Sequence, residues 1–330
     1  MEESAPREIN YLRLSVTDRC NLRCVYCTYW QDWQKLPTGE ILSYEELLRL
    51  AGIAAGLGIR KVRVTGGEPL VRRGVVDFLH NLHQVPGIEE VCLTTNGVRL
   101  ADLAPALLHR TPGIEEVCLT TNGVLLADLA PALYETGLRH LNLSLDTLRR
   151  ERYRQITGRD NLGEVLAGLE RAVTLGFGPL KINCVVLAGI NDDELLDLAL
   201  LTRDHPYQVR FIELMPTVSP RQWQQHFLPM AEVRRRLAVL GPMAAADRRT
   251  TDGPAQIFRL PGFQGELGFI TPISSHHCRT CNRLRLTAAG ALRPCLFGDA
   301  EIDVKTPLRQ GASEGWLAAL FAEQHRRLIF

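Results

Sequence analysis

The stretch "YLRLSVTDRCNLRCVYC", residues 11–27, holds two signals end to end. Its first residues alternate polar and apolar, as a strand with one buried face does. Its second half carries Cys20, Cys24 and Cys27 in C-x3-C-x2-C spacing, short enough for one loop to wrap a metal cluster. Cysteine-held [4Fe–4S] clusters ordinarily use four thiolates. Three thiolates leave one iron open to a small molecule, much as a catalytic zinc keeps one position open. A zinc site completed by a distant histidine is the competing reading of the spacing alone.

The strand-then-loop pattern repeats downstream. β-rich runs are "KVRVT" (61–65), "EVCLTT" (90–95 and again 116–121), "HLNLSL" (140–145), "LKINCVVL" (180–187) and "QVRFIEL" (208–214). Amphipathic stretches lie between them. In one, Ser43 and Glu46 form a capping-box signature and Gly58 is the stop; another runs from Asn161 to about Gly176. This alternation predicts a parallel sheet with helices outside. Polar or glycine-rich residues follow the strand ends, in "TGGEP", "TTNG", "SLD" and "MPT". In a (β/α) barrel the loops at that end build the active site. The expected fold is therefore α/β: a partial (β/α) TIM-like barrel over 1–225, then a smaller C-terminal α+β domain over 226–330. That last segment offers short strand patterns and a turn at Ala288–Ala291.

The bulk properties narrow the classes. A net charge of +1 over 330 residues gives no global field for nucleic acid or anionic lipid. No apolar run is long enough to span a membrane, and "MEESAPREIN" lacks the apolar core of a secretory signal. Six of the nine cysteines fall in two tight groups, which points to metal ligation in a reducing cytoplasm rather than to disulfides. Cys92, Cys118 and Cys184 lie inside strand patterns and read as small buried residues.

The second group, "HHCRTCNRLRLTAAGALRPCLF", supplies Cys278, Cys281 and Cys295 as C-x2-C-x13-C. A zinc ribbon using His276 or His277 is again an alternative. Arg283 and Arg285 alternate on the strand that follows, so one face presents two guanidiniums, groups that pair with phosphate in bidentate fashion.

"GGEP" (66–69) after the second strand adds to the first cysteine motif: glycines allow close backbone approach, and Glu68 suits an ammonium group. Together these resemble the radical S-adenosylmethionine (SAM) enzymes. The series "LRLSVTDRCNLRCVYC", "RVTGGEPLVRR", "LTTNG", "SLDTL", "FIELMP", "DGPAQIF" and "CNRLRLT" is similar, in order, to the GTP 3′,8-cyclase family of molybdenum-cofactor biosynthesis. The resemblance implies two [4Fe–4S] clusters, on Cys20, Cys24, Cys27 and on Cys278, Cys281, Cys295. It implies SAM contacts at Tyr26, Gly67, Ser144 and Met215. It implies GTP contacts at Arg13, Arg63, Thr94 or Thr120, Lys181, Arg283, Leu284 and Arg285. The implied reaction is a lyase-type cyclisation: a 5′-deoxyadenosyl radical takes hydrogen from the ribose C3′, which then attacks C8 of the base. A low-potential electron donor, a next enzyme that receives the cyclic pterin precursor, and a homodimer are implied too. A radical SAM enzyme with an auxiliary cluster acting on a peptide, and a zinc-binding scaffold, are the alternative readings.

The chain departs from that family in two places. Its last residues, "HRRLIF", do not match the family's tail ending in two glycines, which sets an expectation of impaired turnover. And residues 86–107 return at 112–133, differing only at Arg99 versus Leu125. Because strand number and tilt are coupled in a barrel, one copy is expected to lie outside the sheet. The second copy reads as the working one.

Overall fold

The computed structural model describes residues 9–20, 35–95, 118–135, 138–178, 180–216, 219–246, 255–275, 281–295 and 300–326. Their strands are β1 (Tyr11–Ser15), β2 (Lys61–Thr65), β3 (Glu90–Thr94), β4 (Cys118–Thr121), β5 (His140–Ser144), β6 (Leu180–Val186), β7 (Tyr207–Glu213), β8 (Ala244–Ala245), β9 (Gln256–Arg259), β10 (Glu266–Ile270), β11 (Arg283–Leu286), β12 (Ala291–Arg293) and β13 (Ile302–Asp303). All join one sheet, in the order β13-β12-β11-β1-β2-β3-β4-β5-β6-β7-β10-β9-β8. From β11 through β1–β7 to β10 every neighbour runs parallel. The outer strands β9, β8, β12 and β13 are antiparallel. The chain after β7 thus adds strands to both edges of the sheet.

Period-two alternation decides the faces. Leu12, Leu14, Val62, Val64, Ile182 and Phe211 are buried in one large apolar core with the helices. The helix Tyr44–Gly56 meets it through Leu47, Leu50, Ala51 and Ala54, the i, i+3, i+4, i+7 stripe. Its start is the expected capping box: the Ser43 amide donates to Glu46 Oε2 at 2.6 Å and the Glu46 amide to Ser43 Oγ at 3.2 Å. The helix Leu162–Thr174 follows Asn161, as the sequence indicates, although the Asn161 side chain donates to Glu164 Oε1 and does not cap the backbone.

The duplication corrects the sequence-based expectation. Neither copy's strand is looped out: β3, from the first copy, pairs with β2, and β4, from the second, pairs with both β3 and β5. The strand order ends at β13 and β8, and the described residues place no ladder between those edges. Shear and strand number lock together only on closure. An open sheet can therefore take an added strand in its middle. No helix among the described residues is long and apolar enough to cross a membrane.

Candidate functional site

Three neighbouring strands, β11, β1 and β2, set a row of guanidiniums. Arg13 stands opposite Arg285 on one side and opposite Arg63 on the other. Leu284 and Leu12 alternate to the apolar face and are fully buried, so Leu284 has only its main chain to offer a ligand. Arg63 is held by its neighbours: Nε donates to Tyr11 Oη at 2.5 Å, and Nη1 to Thr94 Oγ1 at 3.5 Å. Burial, with the charges of Arg13 and Arg283 acting in the same direction, pulls the Arg285 guanidinium down to about 10. The thiols of Cys281 and Cys295 act oppositely on it. The row and the second cysteine group therefore share one electrostatic neighbourhood. Crowded buried cations are costly unless an anion compensates them.

The cysteines sort by environment. Cys20, Cys281 and Cys295 are partly exposed. Cys184 is fully buried and its thiol is pushed well above the ordinary range by burial; burial also lifts the Cys92 thiol to about 12. Those two are core residues, as the sequence suggests; the side chain of Cys118 lies outside the described residues, as do Cys24, Tyr26, Cys27 and Cys278. Among the described residues no group of three metal-ligating side chains is assembled. The described members of each set fit thiolate ligation. Cys20 follows the C-terminal end of β1, and Cys281 and Cys295 lie within electrostatic reach of Arg285.

"GGEP" serves the first cysteine loop through backbone contact. The Gly67 amide donates to the Thr17 carbonyl at 2.8 Å, and the Glu68 amide to the Arg19 carbonyl at 2.7 Å. A Cβ on Gly67 would lie 2.2 Å from the Arg19 carbonyl oxygen, and Gly66 has φ +152°. Only glycines let these two segments lie so close, and the segment they fix leads straight into Cys20. Glu68 is nearly fully buried; its Oε1 accepts from the Leu70 amide and the Thr95 hydroxyl, bracing β2 against β3. Arg72 adds a clamp from the same loop, donating to the Val16 and Leu42 carbonyls over the Tyr44 ring.

The rest of the polar face is one rung of the sheet. Thr94, Thr120, Asn142, Lys181 and Gln208 follow one another in register from β3 to β7. Asn142 Nδ2 donates to Thr120 Oγ1 at 3.2 Å. Ser144 lies one rung further, level with Asn183. It is steadied by the loop beyond: Asn191 Nδ2 donates to the Asp146 and Val185 carbonyls, and Asp146 Oδ1 accepts from the Val185 amide. Met215 is half-buried, just past β7.

Two residues were not singled out from the sequence. Tyr11 holds Arg63 from fifty-two positions away. Glu213, fully buried, accepts from the Met230 amide with Oε1 and from the Ile273 and Ser274 amides with Oε2. It ties the end of β7 to the helix Met230–Leu237 and to the segment approaching Cys278. An acidic residue at a strand end in "FIELMP" was the available signal.

The sequence profile of the Radical SAM superfamily matches residues 14–111 and 106–202, two stretches that overlap over 106–111, so that each takes in one copy. That of Molybdenum Cofactor Synthesis C matches residues 207–327. A GTP 3′,8-cyclase of Moorella thermoacetica is 45% identical over 322 residues, covering 98% of this chain and 92% of that one. One of Pelotomaculum thermopropionicum is 46% identical over 325 residues with the same coverage. Among solved structures, Streptococcus suis SuiB bound to S-adenosylmethionine superposes with a TM-score of 0.57 at 12% identity, over 95% of this chain and 68% of that one. That likeness is one of fold.

Proposed function

The chain belongs to the GTP 3′,8-cyclase family of the radical SAM superfamily, and from that premise we propose that it cyclises GTP for molybdenum-cofactor biosynthesis. The observation that carries this reading is the in-register row Arg285–Arg13–Arg63 beside Cys281 and Cys295. A triphosphate is the anion such a row suits, and the adjacent thiolates suit a cluster near the base.

Cys20, Cys24 and Cys27 would hold one [4Fe–4S] cluster, and Cys278, Cys281 and Cys295 a second. S-adenosylmethionine bound at the first, on reduction, supplies a 5′-deoxyadenosyl radical for hydrogen abstraction. The chain's own residues bind and orient. Gly67, Ser144, Tyr26 and Met215 would position the SAM molecule at the strand ends. Arg13, Arg63, Arg283 and Arg285 would grip the triphosphate, with Thr94 on β3 or Thr120 on β4 beside them; Lys181, the further cation that the resemblance implies, stands on β6. These cations sit on strands, so little reorganisation is needed when GTP enters. Their task is to keep the ribose C3′ and the guanine C8 of one molecule in attack geometry.

The test is anaerobic incubation of the iron-reconstituted protein with S-adenosylmethionine, GTP and dithionite. The reading expects 5′-deoxyadenosine whose formation depends on GTP, together with a pterin after oxidation. Formation of 5′-deoxyadenosine indifferent to GTP, with no pterin, would overturn it.

A further inference from the structure

The two copies of the duplicated segment are chemically alike but do different work. On the first, Thr94 accepts from Arg63, the Thr95 hydroxyl donates to Glu68, and Glu90 pairs with Lys61. All three partners lie on or just after β2. On the second, Thr120 accepts from Asn142 on β5, and Thr121 Oγ1 accepts from the Gly123 amide. A single strand lying between β2 and β5 would offer one threonine to both Arg63 and Asn142. The duplication has divided that threonine in two.

We infer that the additional strand is a spacer, which holds Lys181 one strand farther from the guanidinium row than triphosphate binding requires. Parallel strands lie about 4.8 Å apart, so Lys181 on β6 is four spacings from Arg63 on β2, roughly 19 Å along the sheet, where three would give about 14 Å. The added strand thus lengthens the path along the sheet between Lys181 and the row by one spacing. The spacing inference rests on the GTP reading given above.

Deleting residues 86–111 removes one spacing without creating an unfamiliar contact. The retained strand carries the residues that β3 shows to β2, Glu116 standing for Glu90 opposite Lys61, and it keeps its own pairing with β5. Among the described strand pairings only β3–β4 is lost outright. The deletion protein is therefore expected to melt cooperatively.

The experiment is equilibrium titration of GTP on the anaerobically reconstituted protein, for the intact chain, the deletion, and Lys181→Ala in each. The spacer reading expects the deletion to bind GTP about tenfold more tightly or better, the worth of one charge-assisted contact. It expects Lys181→Ala to cost the intact chain less than about threefold and the deletion about tenfold or more. Equal or weaker binding by the deletion, or a tenfold loss on Lys181→Ala in the intact chain, would overturn it. That last measurement stands even where the deletion fails to fold. If neither protein binds GTP at all, the GTP reading itself falls.

Discussion

Arg285 carries the sharpest conflict between stability and binding in the molecule. It is largely buried, with Arg13 and Arg283 pulling its proton affinity down. The sign follows directly. A folded value of about 10, below the ordinary guanidinium range of the unfolded chain, means that below pH 10 both states carry the charge and the penalty is fully present. Arg285→Met should raise the melting temperature of the unliganded protein by a few degrees. It should also weaken GTP about 10- to 100-fold, as loss of a charge-assisted contact does. Parallel melts and titrations read the two effects, and a variant lower in both would contradict this view of the row. Tyr11→Phe leaves Arg63 one partner short and should raise the KM for GTP about three- to tenfold with kcat little changed, which steady-state kinetics checks. The alternation of Arg283 and Arg285 was readable in the sequence because it is local. Tyr11 was not, because its bond to Arg63 spans two strands whose register no local pattern specifies.

Two loops depend on single residues at strand ends. Gly67→Ala places a methyl group against the Arg19 carbonyl, with rigid backbone on both sides. The segment entering Cys20 must move, and SAM cleavage should fall on the order of a hundredfold or more. Gly39→Ala, with open space around it, should change nothing and serves as the control. Glu213→Ala strands the amides of Met230, Ile273 and Ser274, a cost of about 1–3 kcal/mol each where they remain dry. Iron after reconstitution should drop from about eight toward about four per chain, since the approach to the second cysteine group is then loose. Unchanged iron content would show that Glu213 matters only to folding. Strands, capping box and turn residues were legible at this scale because each is a short-range pattern. The fate of the duplication was not. A closed barrel would have expelled one copy, but among the described residues no ladder joins β13 to β8 and both copies are accepted, a property of the edges that no single strand reveals.

The whole molecule concentrates positive charge in a chain of net charge +1. The carboxylates that balance it are spread through peripheral pairs such as Arg150 with Asp160 and Arg236 with Asp192. With a net charge near zero, the row acts on an anion locally, with no long-range field over the surface. Arg13 and Arg63 come from one end of the sequence, Arg285 and the second cysteine group from the other, and they meet because β11 pairs in parallel with β1. The central claim is that they form one nucleotide site. It is tested most directly on a Cys20→Ala, Cys24→Ala, Cys27→Ala protein, reduced and observed by electron paramagnetic resonance with and without GTP. The account predicts that GTP shifts the signal of the remaining cluster, and that the shift is lost in Arg285→Met at the same nucleotide concentration. A spectrum indifferent to saturating GTP would contradict it.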